Sequence, residues 1–104
     1  MPLFAYVWEY RVHDDELERF QEVYGPGGDW VQLFEKAEGY VRTDLFRDAD
    51  DPARFLTTDF WVSRNARDTF RRKFAEAFEK LDRECEALTV EERFVGDFDV
   101  LHTD

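Results

Sequence analysis

Leu3-Phe4-Ala5-Tyr6-Val7-Trp8-Glu9-Tyr10-Arg11-Val12 opens on a period of two, with Phe4, Tyr6, Trp8 and Tyr10 alternating against Leu3, Ala5 and Val7. Aromatic and β-branched residues in that rhythm predict a strand, apolar on both faces through most of its length. His13-Asp14-Asp15-Glu16 then supplies an acidic first turn, Asp15 and Glu18 stand at capping-box spacing, and Leu17, Phe20 and Tyr24 share one helical stripe. Gly25-Pro26-Gly27-Gly28 ends that helix. Asp29 is placed to cap a short second helix with Trp30, Leu33 and Phe34 on one side, and Gly39 marks its exit.

Two more strands follow, Tyr40 to Phe46 and Phe55 to Val62, joined by the charged turn Arg47-Asp48-Ala49-Asp50-Asp51-Pro52 of an antiparallel hairpin. Ser63 starts a helix in which Ala66, Phe70, Phe74, Phe78 or Ala77, Leu81, Cys85 and Leu88 recur at steps of three and four. No Gly or Pro interrupts residues 64 to 95, so the pattern fits one long helix or two with a kink it does not locate. The last strand, Glu92 to Leu101, is predicted to carry Phe94, Phe98 and Val100 on one side and Arg93, Val95 and Asp97 on the other, before a loose His102-Thr103-Asp104 tail.

The order β-α-β-β-α-β predicts an α+β, ferredoxin-like domain: a four-stranded antiparallel sheet with both helices on one face and strands one and three in the middle. Arg42, Asp44, Arg47, Arg93, Asp97 and Asp99 sit on strands two and four, as edges that must not pair promiscuously require. The uncovered face would carry Leu3, Ala5, Val7, Leu56, Phe60 and Val62, an apolar patch best covered by a second copy, so a homodimer is expected.

The chain has 104 residues, which is one domain spanning residues 1–104. Its net charge of -11 repels phosphate backbones and anionic lipids, so nucleic acid and membrane surfaces are poor partners. Eleven Phe, four Tyr and three Trp exclude a disordered acidic chain. Cys85 is the only cysteine, so no intrachain disulfide forms and a reducing cytoplasm fits best. The apolar opening lacks a basic flank and meets Glu9 and Arg11 too early for a signal peptide or spanning helix, so it reads as a strand retained in the mature protein.

Phe60-Trp61-Val62-Ser63 followed by an amphipathic helix, in a βαββαβ chain of this length, resembles the antibiotic biosynthesis monooxygenase (ABM) domains of the dimeric α/β-barrel superfamily. The likeness runs from about Leu3 to Leu101. It implies a ligand held between sheet and helices, and relatives that include cofactor-independent oxygenases of polyphenolic metabolites as well as haem-degrading enzymes. Trp61 matches the family's strand-three Trp, and alternation puts Asp59, Thr57 and Phe55 on its face; Tyr6, Trp8 and Tyr10 take the cavity side of strand one. Haem-degrading relatives present an Asn near the Trp8 position and an iron-ligating His on the helix after strand three. Here residues 64 to 88 hold no His, so haem degradation of that kind is disfavoured.

Asp59, between Thr58 and Phe60 in a central strand, must pair, protonate or face a polar cavity. In a dry pocket beside Trp61 and Tyr6 or Tyr10 it is a candidate base for a phenol or enol, preparing such a substrate to react with dioxygen. The competing reading is a structural acid bonded to Arg42 or a Tyr hydroxyl. Arg42 is either an anion-stabilising group or an ordinary edge-strand charge. Tyr6, Trp8, Tyr10 and Trp61, with Phe70 and Phe74 from the facing helix, either stack on a planar aromatic ligand or pack as core. No metal or cofactor is expected: consecutive acids at 14–16 point in different directions, and Gly25-Pro26-Gly27-Gly28 follows no strand and precedes no Lys, Ser or Thr. Cys85 reads as a buried, inert thiol. Three functions remain open: an ABM-like monooxygenase for an aromatic or polyketide-like molecule, a non-catalytic small-molecule binder, and a structural dimer whose cavity is filled by its own side chains.

Overall fold

The computed structural model describes residues 2–102. The elements run β1 (Phe4–Val12), α1 (Leu17–Tyr24), α2 (Asp29–Phe34), β2 (Tyr40–Arg47), β3 (Arg54–Trp61), α3 (Arg64–Lys73), α4 (Ala75–Cys85) and β4 (Thr89–Asp99), with single 3-10 turns before α1 and after α4. All strand pairs are antiparallel and the sheet order is β2-β3-β1-β4. The two most apolar strands occupy the middle, and the fold is the ferredoxin-like α+β arrangement that the element order implies. No helix among the described residues is long and apolar enough to cross a membrane. Thr103 and Asp104 of the expected tail lie outside the described residues.

Local chemistry explains most boundaries. Ser63 caps α3 by accepting a hydrogen bond from the Ala66 amide at 3.0 Å. The other two expected caps are absent: Asp15 lies inside the 3-10 turn, and Asp29 is the first helical residue after Gly28, neither making a capping bond. Gly39 holds φ 89° where α2 turns into β2, and a Cβ there would collide with Ala66 and Val62. The helical pattern of residues 64–85 breaks at Phe74. Charge makes the break understandable: Arg71, Arg72 and Lys73 crowd the C-terminal turn of α3, and Glu76 sits in the first turn of α4, each favoured by the dipole of its own helix.

Two irregularities change which side chains face the helices. The register of β2 against β3 slips between Tyr40 and Arg42, pairing Arg42 with Phe60 and Thr43 with Asp59. The extra residue, Val41, turns Arg42 outward and Thr43 inward. A second slip lies in β4, where Trp8 pairs with Phe94 and Val7 with Gly96. Phe94 therefore meets the Trp8 ring at 5.3 Å on the helix side, whereas Phe98 stands opposite Ala5 on the outer face. The expectation that Phe94 and Phe98 share a side is thus corrected.

On the outer face, Ala5, Phe60, Phe98 and Val62 make one half largely apolar, with the Arg42–Asp44 pair at its β2 edge, while Phe46 lies against Leu56 in the row of Glu9; Phe98, Val62 and Phe46 are about half exposed. The other half is charged, with Glu9 accepting hydrogen bonds from both Arg54 and Arg93, and Arg11 paired with Asp51. The apolar patch therefore covers half of the face and not all of it.

Candidate functional site

Strand β3 shows how the interior divides. Phe55, Thr57, Asp59 and Trp61 point inward, at 1%, 3%, 5% and 0% exposure. The rings at the two ends are packed: Phe55 lies 4.9 Å from the Phe20 ring, and Trp61 lies 5.2 to 5.8 Å from Phe70, Tyr40 and Phe34. The two polar residues between them border open space, a half-open cavity of about 190 Å³ between the sheet and the helices. Tyr6, Trp8 and Tyr10 of β1 form its floor beside Thr57 and Asp59, while Tyr24, Trp30 and Phe78 close it from the helix side. It adjoins a groove of about 870 Å³ that runs between β1, β4, α3 and α4, sharing Tyr6, Trp8 and Phe78.

Asp59 stands opposite Tyr6 in the β1–β3 register. Its Oδ1 accepts a hydrogen bond from Thr43 Oγ1 at 2.6 Å. Because Thr43 gives its only hydroxyl proton to the carboxylate, the Tyr40 hydroxyl, 2.8 Å from Thr43 Oγ1, donates in turn. A Tyr40–Thr43–Asp59 relay results. No Arg or Lys pairs with Asp59 among the described residues. Burial without a counter-charge pushes its carboxyl up from 3.8 to about 7, and the Thr43 bond pulls only partly the other way. At neutral pH the group is poised between acid and base.

The neighbouring tyrosines stay protonated. Burial raises Tyr6 and Tyr10 well above the ordinary phenol range, and Asp59 adds to both shifts. Tyr10 shares a hydrogen bond of 3.1 Å with Thr57 Oγ1, and Tyr40 is engaged by Thr43. The Tyr6 hydroxyl has no such partner among the described residues and is not one of the sealed polar atoms.

The expected site residues are thus divided. Asp59, Tyr6, Trp8 and Tyr10 come together around the cavity, with Thr57 as expected beside them. Trp61 and Phe70 do not reach it: both are sealed in the ring cluster with Phe34, at 0% and 1% exposure, and the Trp61 indole N–H faces no acceptor. Phe74, at the α3–α4 break, stacks on Phe70 away from the cavity, and Phe78 takes the cavity wall. Arg42 is turned to the outer face by the β2 irregularity, where it pairs with Asp44 at 3.3 Å and covers the Phe60 ring at 4.2 Å. Of the competing reading of Asp59, an acid bonded to Arg42 or to a Tyr hydroxyl, neither bond is present among the described residues; Thr43 takes that place.

Sequence reasoning missed Thr43, Trp30, Phe78 and Arg71. Only the last two had a usable signal, in the switch from basic to acidic residues across 71–76 that fixes the helix break and with it the phase of α4. Cys85 is buried beneath Tyr24 and Trp30, with its thiol pushed up by burial, outside the cavity. His13, Asp14 and Asp15 are exposed, and among the described residues no three His, Cys, Asp or Glu side chains gather as metal ligands.

Solved structures share this architecture. A cofactor-independent oxygenase of Streptomyces nogalater, SnoaB, in a mutant form, superposes with a TM-score of 0.79 over 99% of this chain and 97% of its own, at 23% identity. The protein NE2512 of Nitrosomonas europaea, of unknown function, gives a TM-score of 0.73 at 12% identity, covering 100% of this chain and 94% of its own. PA3566 of Pseudomonas aeruginosa gives 0.69 at 16% identity over 98% and 97%. No curated protein matches the sequence. At these identities the superpositions establish the fold and leave the chemistry to the residues. The model of the antibiotic biosynthesis monooxygenase family matches residues 4–80, from β1 into α4, the helix whose Phe78 walls the cavity. With most of its length so matched, the chain belongs to the antibiotic biosynthesis monooxygenase family.

Proposed function

We propose that the protein is a cofactor-independent monooxygenase acting on a phenolic or enolic aromatic molecule, with Asp59 as the base. The observation that carries this reading is a carboxylate raised to about 7 by burial, without a cationic partner, on the wall of an aromatic-lined cavity. Asp59 takes a proton from the substrate, leaving an electron-rich enolate or phenolate. That anion delivers its electrons to dioxygen and a carbon–oxygen bond forms. The proton returns from Asp59 to the distal oxygen, giving a hydroperoxide. Loss of water breaks the O–O bond and a C–H bond and leaves a carbonyl, so one oxygen atom enters the product and the other leaves as water. The protein's part is to orient the ring and to hold the proton at Asp59. The SnoaB resemblance, to a protein described as a cofactor-independent oxygenase, supports the reaction class and not the substrate.

Trp61 has a structural part in this reading: it fixes the inner end of β3 and so the position of Asp59 two residues before it. We also place the working form as a homodimer, paired through the half-apolar outer face, in a reducing compartment such as the cytoplasm. The test is oxygen uptake with a panel of phenols and enolisable aromatic ketones. Turnover is expected to rise as pH passes 7 and to be lost in Asp59→Asn. Binding without oxygen uptake by any of them would leave a ligand-binding protein instead of an enzyme.

A further inference from the structure

Among the described residues, the cavity is lined by one cation. Arg71 reaches its mouth from α3, with the guanidinium carbon 4.2 Å above the centre of the Phe78 ring, and borders both the cavity and the adjoining groove. Its neighbour Arg67 is neutralised by Asp68 and Asp97, and Arg64 also pairs with Asp97. Arg71 makes no ion pair among the described residues, yet its charge is close enough to oppose the shift of the Tyr6 phenol. The Tyr6 side chain is 3% exposed, and its hydroxyl, unlike those of Tyr10 and Tyr40, has no protein partner among the described residues. That hydroxyl is not sealed: it opens onto the cavity and is free to donate to whatever occupies it. Here a free O–H and an unpaired guanidinium face the same space, next to the strand position of the base.

We infer that Tyr6 and Arg71 are paired donors for one ionised oxygen of the ligand, and that the ligand enters this cavity as a single phenol or enol ring carrying no carboxylate. The inference rests on the reading of Asp59 as the base and adds the substrate's form to it. Size sets a single ring for the part held inside, since a cavity of about 150 Å³ accommodates benzene and this half-open one measures about 190 Å³. Anything larger has to extend into the groove. Charge sets the second restriction. Asp82 and Glu92, both exposed at its rim, line the same cavity, and partial desolvation together with the charge of Asp82 raises the Glu92 carboxyl. A carboxylate on the ligand would meet these two acids as well as Asp59, whereas a neutral phenol becomes anionic only where the donors wait.

The probe is 4-nitrophenol, whose ionised form is distinguished by colour, compared with its methyl ether 4-nitroanisole, which has nearly the same shape and no ionisable proton. The folded wild-type protein is expected to bind 4-nitrophenol as the phenolate and to lower its apparent pKa by about one unit, a tenfold shift in ionisation. Arg71→Met should weaken phenolate binding about tenfold and abolish the colour shift, Arg71→Lys should restore part of both, and Tyr6→Phe should lose about two- to fivefold. Binding of the ether should be unchanged in all three. In parallel, methyl 4-hydroxybenzoate should bind more tightly than 4-hydroxybenzoate. Equal losses for the phenol and the ether, binding of the phenol in its neutral form, tighter binding of the carboxylate, or no binding to the wild type at millimolar probe would each overturn the inference. The base reading fails separately: Asp59→Asn that retains turnover would refute it and leave the effects of Arg71 standing.

Discussion

Asp59 and Trp61 are two residues apart on one strand, face the same way and are almost equally buried, yet they sit in different kinds of interior. Around Trp61 the space is filled by Phe34, Tyr40 and Phe70. Around Asp59 it is open, walled by rings that stop short of one another. Burial alone thus says little about role. At the packed end, close contact of rings supplies stability; at the open end, the protein forgoes that contact and holds a carboxylate in an environment that disfavours its charge. Holding polar groups in such a place is how a fold gives up stability to keep a site.

The sharpest way to break the contrast is to remove rings at the two ends. Trp61→Ala should lower stability by about 3–5 kcal/mol through lost burial and an unfilled void, and Trp8→Ala, beside space already open, by less than half as much. Chemical denaturation of both variants checks this, and equal losses would erase the distinction.

Asp59→Asn comes next. In the unfolded chain this acid ionises near 3.8, and in the folded protein near 7. Between those values the unfolded state releases a proton that the native state keeps, so this group's contribution to stability falls as pH rises from about 4 to 7 and is then constant. The variant should match wild type near pH 3 and exceed it on the order of 2–4 kcal/mol at pH 8, a range set by about three units of pKa difference. Denaturation at several pH values measures it.

Thr43→Val tests the relay with a smaller effect, a loss of about 1 kcal/mol. Because the Thr43 bond lowers the Asp59 pKa, its removal should move the pH dependence of turnover upward. The smallest expected effect is that of Arg42→Ala on the outer face, which should leave ligand binding unchanged.

How far the sequence could be read follows the same division. The β1 alternation, the Ser63 cap and the apolar pattern of β3 specify themselves locally, so the sheet order and the inward face of β3 follow from them. What stayed hidden depends on one-residue slips. Counting by twos from Tyr40 puts Arg42 inward, and only the extra residue Val41 reverses this and brings Thr43 to Asp59. Likewise Phe94 and Phe98 are four apart and share a face in a regular strand, but the β4 irregularity separates them. Trp61 was misplaced for another reason: residue type does not tell a ring that borders space from a ring that fills it, and that difference is made by Phe34 and Phe70 from distant parts of the chain.

The central claim is that Asp59 is an unpaired acid on an open cavity, poised near neutrality. Carbon-13 NMR of the side-chain carboxyls, with Asp59→Asn to assign the signal, measures it directly. A titration midpoint of about 7 is expected for Asp59; a midpoint in the ordinary carboxylate range, about 4, would refute its role as a base poised at neutral pH.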